Sequence, residues 1–318
     1  MFNRQSLLYF YNLFNENTPI EKIEHPDLDN CMAELWLKRD DLIHPAVSGN
    51  KWRKLKYYVE KAKEREGLVT FGGAYSNHIA ATASIGKLMG INTVGIIRGD
   101  ELHPKSNKTL QKADAEGMRL LFVTREEYSF KQQLAYHKQI KEEYGDVVIV
   151  PEGGAGYEGL VGATEIIKGH DDFDVFAVSC GTGTTLAGIL LALKSHQHVL
   201  GFSALKGEFM KEEINKLINQ YFLDPQIYKD YENECSILEA YHFGGYAKVN
   251  QELVEFMRSF YQYTGIKLDP IYSGKMMFGL FNQLKANKNY RGKKILAIHT
   301  GGMQGLMGVE EKLGFPIF

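Results

Sequence analysis

Two separated segments of this chain carry residue types that could do chemistry together. Ser48-Gly49-Asn50-Lys51-Trp52-Arg53-Lys54 offers a lysine amine beside a glycine and an asparagine, which let the backbone come close to a flat ligand. Gly181-Thr182-Gly183-Thr184-Thr185 offers glycines for close approach of backbone N–H groups and threonine hydroxyls for phosphate oxygens. A reactive amine and a distant phosphate cradle together point to pyridoxal 5'-phosphate (PLP). Lys51 would hold one end as a Schiff base, and Gly181, Thr182, Gly183, Thr184 and Thr185 would hold the other. Without the amine, the second segment reads as a tight strand-to-helix turn capped by threonine. It lacks the Gly-Lys-Ser/Thr ending of a nucleotide P-loop and the full spacing of a dinucleotide fingerprint, which disfavours ATP and NAD. Lys54 lies three positions after Lys51 and would share its face on a helix, either supporting the cofactor or pointing to solvent.

Further candidates stand where strands should end. Ser76-Asn77-His78 follows Gly72-Gly73-Ala74-Tyr75. Ser76 or Asn77 could cap the next helix, or the same helix start could receive a substrate carboxylate, with Asn77 reaching a ring oxygen of the cofactor. His78 reads as a surface or packed residue before it reads as a base. Tyr246 and Tyr272 could contact cofactor or substrate and exchange a proton through the phenol, although most of the chain's 18 tyrosines must be structural. Thr300, before Gly301 and Gly302, could meet the pyridine nitrogen or could simply complete a turn.

The elements that must position these residues alternate in a rhythm of short apolar runs and longer amphipathic ones. The strands expected are 33–38, 68–71, 93–97, 118–123, 147–150, 174–178, 198–202 and 294–298. Helices are expected at 77–89, 105–115, 130–143, 157–168, 186–193, 208–220, 251–261 and 277–284. This pattern predicts an α/β fold with covered parallel sheets, and places the site at the carboxyl edges of the strands. A boundary is expected at Pro151-Glu152-Gly153-Gly154, and Lys61–Glu66 reads as a solvated helix end.

Charge and cysteine usage exclude several classes of function. With 37 Lys plus Arg against 39 Asp plus Glu in 318 residues, the chain has no overall field that would draw nucleic acid or an anionic membrane. Cys31, Cys180 and Cys235 show neither disulfide-scaffold nor metal-ligand spacing, so a reducing cytoplasm is expected and no metal. The N-terminal Met1-Phe2-Asn3-Arg4 leads into no long apolar signal core. No run reaches the roughly 18 apolar residues of a membrane span.

Taken in order, these segments resemble the 1-aminocyclopropane-1-carboxylate deaminase and D-cysteine desulfhydrase family among the fold-type-II, tryptophan-synthase-beta-like PLP enzymes. The resemblance runs from about Leu35 to Gly302, and its anchors are Lys38-Arg39-Asp40-Asp41-Leu42, the Lys51 segment, Ser76-Asn77-His78, Cys180-Gly181-Thr182-Gly183-Thr184, Asp269-Pro270-Ile271-Tyr272-Ser273-Gly274-Lys275, and His299-Thr300-Gly301-Gly302. The resemblance implies a two-domain, three-layer αβα enzyme, with residues 1–52 plus 158–318 forming a large PLP-binding domain and 53–157 a small one, in a homodimer. It implies that Lys51 is the Schiff-base lysine, that Asn77 contacts the ring oxygen, and that Ser76 serves the substrate carboxylate or reaction face. By the same resemblance Tyr246 and Tyr272 are the two active-site tyrosines and Thr300 faces the pyridine nitrogen.

Three departures from the family pattern bear on substrate. Ser273 stands where ring-opening deaminases carry glutamate, Tyr75 where glutamine is common, and Ala80 where arginine is common. The missing glutamate favours D-cysteine or a related small D-amino acid, eliminated to pyruvate, ammonia and sulfide or another leaving group. The alternatives are a 1-aminocyclopropane-1-carboxylate deaminase giving 2-oxobutanoate and ammonia, and a noncatalytic PLP or small-ligand binding protein.

Overall fold

The computed structural model describes residues 13–222 and 234–318; the N-terminal residues weighed above as a possible signal lie outside them. The chain divides into two compact units, Met1–Glu16 with Ile43–Gly162, and Asn17–Leu42 with Ala163–Phe318. The position after residue 52, where the sequence reading sets a boundary, lies within helix α1 (Asn50–Ala62).

The first unit is built on a four-stranded, all-parallel sheet in the order β5-β4-β3-β6, with β3 Leu68–Gly72, β4 Thr93–Arg98, β5 Arg119–Val123 and β6 Val148–Val150. Central β3 is buried along its length, as a sheet covered on both faces requires. Its side chains alternate as the pleat dictates. Leu68 packs with Trp52, Leu55, Ala81 and Ile85, whereas Val69 and Phe71 pack oppositely with Tyr128 and Ile140.

The helix expected at 130–143 is instead two, α4 Arg125–Ser129 and α5 Leu134–Tyr144, after α2 (Asn77–Met89) and α3 (Lys108–Ala115). Local capping decides both this split and the start of α3. Thr124 accepts from Glu127 N at 3.0 Å, and Asn107 accepts from Leu110 N at 3.0 Å.

In the second unit a six-stranded sheet runs β1-β2-β10-β7-β8-β9. Its strands are β1 Ile20–Lys22, β2 Glu34–Lys38, β7 Val175–Cys180, β8 His198–Ser203, β9 Cys235–Leu238 and β10 Lys294–Ile298. Only β1 is antiparallel among the described strands. The last strand in sequence thus lies between β2 and β7, so the order reverses at the carboxyl ends of β7 and β10, where ligands of open α/β sheets bind.

One face of this sheet, with Leu35, Leu37, Val175, Phe202 and Ile295, packs on α9 (Gln251–Thr264) and α10 (Ser273–Ala286) through Met257, Phe260, Met277 and Phe281. The remaining helices are α6 Tyr157–Thr164, α7 Thr184–Ala192, α8 Met210–Phe222 and α11 Gln304–Leu313. Among the described residues no helix is long and apolar enough to cross a membrane, and no cluster of metal-ligating side chains occurs.

Candidate active site

Lys51 occupies the first turn of α1. The helix opens at Gly49, whose φ of 64° lies in the left-handed region that a side chain disfavours. Beneath it, Trp52 is fully buried and stacks on Phe14 with ring centroids 3.5 Å apart. Glu16 takes the indole N–H of Trp52 at 2.8 Å and pairs with Arg53 and Lys56, both at 3.2 Å. Burying the indole is worth roughly 1.5–3 kcal/mol, so the first turns are held from below and the rotation of Lys51 about the helix axis is set.

Lys51 Nζ donates to Asn50 Oδ1 at 3.2 Å. Lys54, on the same helix face, is buried, and its ammonium is held well below the usual lysine range, first by burial and then by the charge of Lys51.

His78 completes this group. Thr70 donates its hydroxyl to Val150 O at 2.9 Å, so its oxygen accepts from His78 Nε2 at 2.7 Å and Nδ1 carries the lone pair. That Nδ1 is buried with no hydrogen-bond partner among the described residues, and the imidazole is kept well below its usual pKa by burial, then by Lys51 and Lys54. Gly154 closes over it with φ of 72°; a Cβ there would come within 3.2 Å of Lys54 Cβ and 3.7 Å of His78 Nδ1. His78 is therefore a packed residue, one of the two expectations held for it.

Ser76 is the N-cap of α2 and accepts from Ile79 N at 3.3 Å, so its capping role is realised. A Cβ at Gly72 would lie 2.8 Å from Ser76 Oγ, so only glycine allows the tight turn from β3 that sets Ser76 and Asn77 at the helix start.

The second unit carries the other half of the candidates. After β7 the chain turns through Gly181 and Gly183, the latter with φ of 77°, into α7, which has no side-chain cap. Thr182 and Thr184 hydroxyls lie 3.1 Å apart, and Thr184 and Thr185 are buried. A Cβ on Gly181 would meet the Tyr272 ring at 3.2 Å. A helix start without a side-chain cap, approached by chain bearing no side chain, suits a phosphate, because the amide dipoles point outward there.

Thr300 lies beside this turn across the strand reversal, its Oγ1 3.2 Å from Ser179 Oγ. His299 fixes it in place: Nε2 donates to Lys267 O at 2.9 Å while Nδ1 accepts from Gly301 N at 3.2 Å. Tyr246 and Tyr272 meet edge to face with centroids 6.2 Å apart.

Ser273 sits differently from what its place after Tyr272 suggests. It is fully buried and donates to Asp269 Oδ2 at 2.6 Å, while the Asp269 carboxylate also accepts from the amides of Ile271, Tyr272 and Ser273. It belongs to the bracket that starts α10 and aims Tyr272. Sequence reasoning did not find Ser179, the role of Asp269 in bracketing the helix start, or the part of His299 in holding Thr300. Ser179 has no motif signal, whereas Asp269-Pro270 is a turn-initiating pair whose aspartate accepts from the amide two residues on, and could have been read as such.

A family model described as pyridoxal-phosphate dependent enzyme matches residues 11–301. The chain is 32% identical, over 93% of its length and 79% of the relative's, to an Arabidopsis thaliana protein named bifunctional D-cysteine desulfhydrase/1-aminocyclopropane-1-carboxylate deaminase, mitochondrial. It is 31% identical to a putative 1-aminocyclopropane-1-carboxylate deaminase of Pyrococcus horikoshii, covering 93% of this chain and 92% of that one. A crystal structure described as an ACC deaminase homologue superposes with a TM-score of 0.77 at 27% identity, covering 95% of this chain and 94% of that chain. The glycine turn, the lysine pair and the matched length agree, and the chain belongs to the fold-type-II PLP-dependent enzymes, close to the 1-aminocyclopropane-1-carboxylate deaminase and D-cysteine desulfhydrase homologues.

Proposed function

We propose that this enzyme is a lyase that releases ammonia and a 2-oxo acid from a small amino acid, with Lys51 as the residue that holds PLP. The observation that carries the reading is the Lys51–Lys54 pair on one face of α1, in a chain whose family is PLP-dependent. The turn from Gly181 to Thr185 would hold the phosphate, Lys54 would support proton transfer or charge beside Lys51, Asn77 would meet the ring oxygen, and Thr300 with Ser179 would offer neutral hydroxyls to the pyridine nitrogen. When bound, PLP supplies the electron sink for the bond broken at the substrate's α-carbon. Ser76 and the start of α2 would orient the substrate carboxylate, Lys51 would take the α-proton of a substrate that has one, and Tyr246 or Tyr272 would deliver a proton on the side of the departing group.

The names of the relatives lean toward ring opening of 1-aminocyclopropane-1-carboxylate to 2-oxobutanoate. That substrate has no α-proton, so Ser76 or a tyrosine would act on the ring in place of Lys51 on the α-carbon. One observation favours a second reading, elimination from D-cysteine to pyruvate, ammonia and sulfide. With Ser179 and Thr300 at the pyridine nitrogen, their hydroxyl pair would put no negative charge there, and Ser273 is committed to Asp269. Without that charge the ring nitrogen is less readily protonated and the sink is weaker, which suits a reaction that starts from an acidic α-proton.

The deciding experiment incubates PLP-loaded protein with 1-aminocyclopropane-1-carboxylate, D-cysteine and L-cysteine and identifies the 2-oxo acids by mass spectrometry. 2-Oxobutanoate selects ring opening, and pyruvate with sulfide selects elimination. Absence of both, across small D- and L-amino acids with good β leaving groups, sinks the lyase reading. A homodimer and the division into a large PLP-binding and a small domain belong to the same proposal. Light scattering should then give about twice the 36.1 kDa chain mass.

A further inference from the structure

The loop that carries Tyr246 is built in an unfavourable backbone conformation. Phe243, Gly244, Gly245 and Ala247 have φ of 55°, 96°, 121° and 53°. Two of these are residues with a Cβ, for which the left-handed region costs roughly 1–2 kcal/mol each. Such a loop persists only where its surroundings over-determine it.

Part of the determination is local. Gly244 N donates to His242 Nδ1 at 2.8 Å, Gly245 N to His242 O at 3.0 Å, and Lys248 N to Gly245 O at 3.2 Å. The rest comes from beneath. Lys275, in the first turn of α10 and 1% exposed, donates from Nζ to His242 O and to Gly245 O, both at 2.8 Å. A lysine head group is among the least favourable groups to bury, and burial pushes this one down to about 8, with Asp269 partly opposing. Neither acceptor is a carboxylate. The amine is spent on two main-chain carbonyls that bracket Phe243 and Gly244 and lie just before Tyr246 and Ala247, while the adjacent Phe243 ring packs on Phe278 of the same helix at 5.0 Å.

Immediately before the helix that supplies Lys275 stands its N-cap residue Tyr272, whose amide is held by Asp269. One helical turn therefore sets both members of the Tyr246–Tyr272 edge-to-face pair: Tyr272 through Asp269, and Tyr246 through Lys275 and the loop. We infer that Lys275 is a positioning residue that holds the His242–Ala247 loop in its left-handed conformation and thereby places the Tyr246 phenol against Tyr272. This rests on the proposed function only in taking the tyrosine pair as part of the reaction face; the pinning of the loop stands apart from it.

Two measurements on the PLP-loaded enzyme test the inference. In hydrogen exchange by mass spectrometry, the peptide spanning residues 242–248 of the unmodified protein should exchange at least tenfold more slowly than free chain. In Lys275→Met, which keeps the apolar stem and removes the donors, that peptide should exchange roughly tenfold faster while peptides from β7 and β10 keep their rates. In the double-mutant cycle with Tyr246→Phe, Lys275→Met alone should lower kcat about tenfold. In the Tyr246→Phe background the same change should lower it less than about twofold, since a residue acting through Tyr246 has nothing left to place.

Free-chain exchange of the loop in the unmodified protein, unchanged exchange in Lys275→Met, or an equal loss in both backgrounds each overturns the inference. Should Lys275→Met fail to fold, Lys275→Gln, whose shorter amide cannot reach both carbonyls, takes its place in both measurements with the same expected changes. The exchange arm needs no substrate, so failure of the substrate proposal and failure of this one remain distinguishable.

Discussion

Replacing Ser273 with glutamate would install the residue that ring-opening deaminases carry at this position, and a sequence comparison alone would recommend it. The structure predicts damage instead. Ser273 Oγ donates to the Asp269 carboxylate at 2.6 Å and accepts from Asp269 N at 2.8 Å, with both residues fully buried. Ser273→Ala removes a charge-assisted bond worth roughly 1.5–3 kcal/mol and leaves a buried amide unsatisfied at about 1 kcal/mol or more, a loss of about 2–4 kcal/mol. For a domain of 150–250 residues that corresponds to a fall in Tm of roughly 4–16 °C. Ser273→Glu adds a second carboxylate beside Asp269. Two charges about 4 Å apart repel by about 4 kcal/mol at an effective dielectric near 20, a cost limited by protonation of one of them. Glutamate should therefore destabilise more than alanine. The assay is thermal unfolding of cofactor-free protein followed by circular dichroism, with turnover of both substrates measured on the reloaded variants. An alanine variant within about 1 kcal/mol of the parent, or a glutamate variant that is equally stable and gains 2-oxobutanoate formation, would refute the reasoning.

Other consequences are open to direct measurement. Lys51→Ala should abolish the visible absorption of a lysine-bound cofactor and lower turnover by at least a thousandfold; retention of both on reconstitution would remove Lys51 from its proposed place. His78 is held neutral in the folded protein, so its folded pKa lies below the unfolded 6.5. Its contribution to stability is then complete above about pH 6.5 and is lost as pH falls, because the unfolded chain takes up the proton first. Urea midpoints measured from pH 7.5 to 5.5 should fall less steeply in His78→Gln than in the parent, and equal slopes would count against the assignment. A Cβ at Gly162 would collide with Arg53 O in α1, so Gly162→Ala should cost about 1–3 kcal/mol and weaken PLP affinity through displacement of the Lys51 helix. Cofactor titration with tight binding retained would show that α1 does not move. Thr300→Val leaves Ser179 without its hydroxyl partner and should shift the cofactor's absorption and cost about tenfold in kcat, with little change in KM.

What the sequence determined by itself was local structure that depends on residue type and short spacing. Lys51 and Lys54 three apart, a glycine-threonine turn between a buried strand and an apolar helix, and Ser76 before an amphipathic run are local patterns. A helix, a tight turn and a cap need only neighbouring residues to form. The alternation of strands and helices was legible for the same reason; it missed the edge strands β1 and β9, and it misplaced helix starts where a local cap went unread, at Thr124 and Asn107.

The tertiary structure alone decided which distant residues share a strand edge. Nothing in the order of the chain indicates that β10, the last strand, lies between β2 and β7 and so sets Thr300 against Ser179, 121 positions earlier. Nor does sequence tell whether Ser273 faces a ligand or an aspartate, or whether Lys275 lies in solvent or beneath a glycine loop 30 residues away. These are matters of burial and of which carbonyl or carboxylate is within 3 Å of a donor. Both depend on how the sheet and helices pack, which residue type and spacing do not specify.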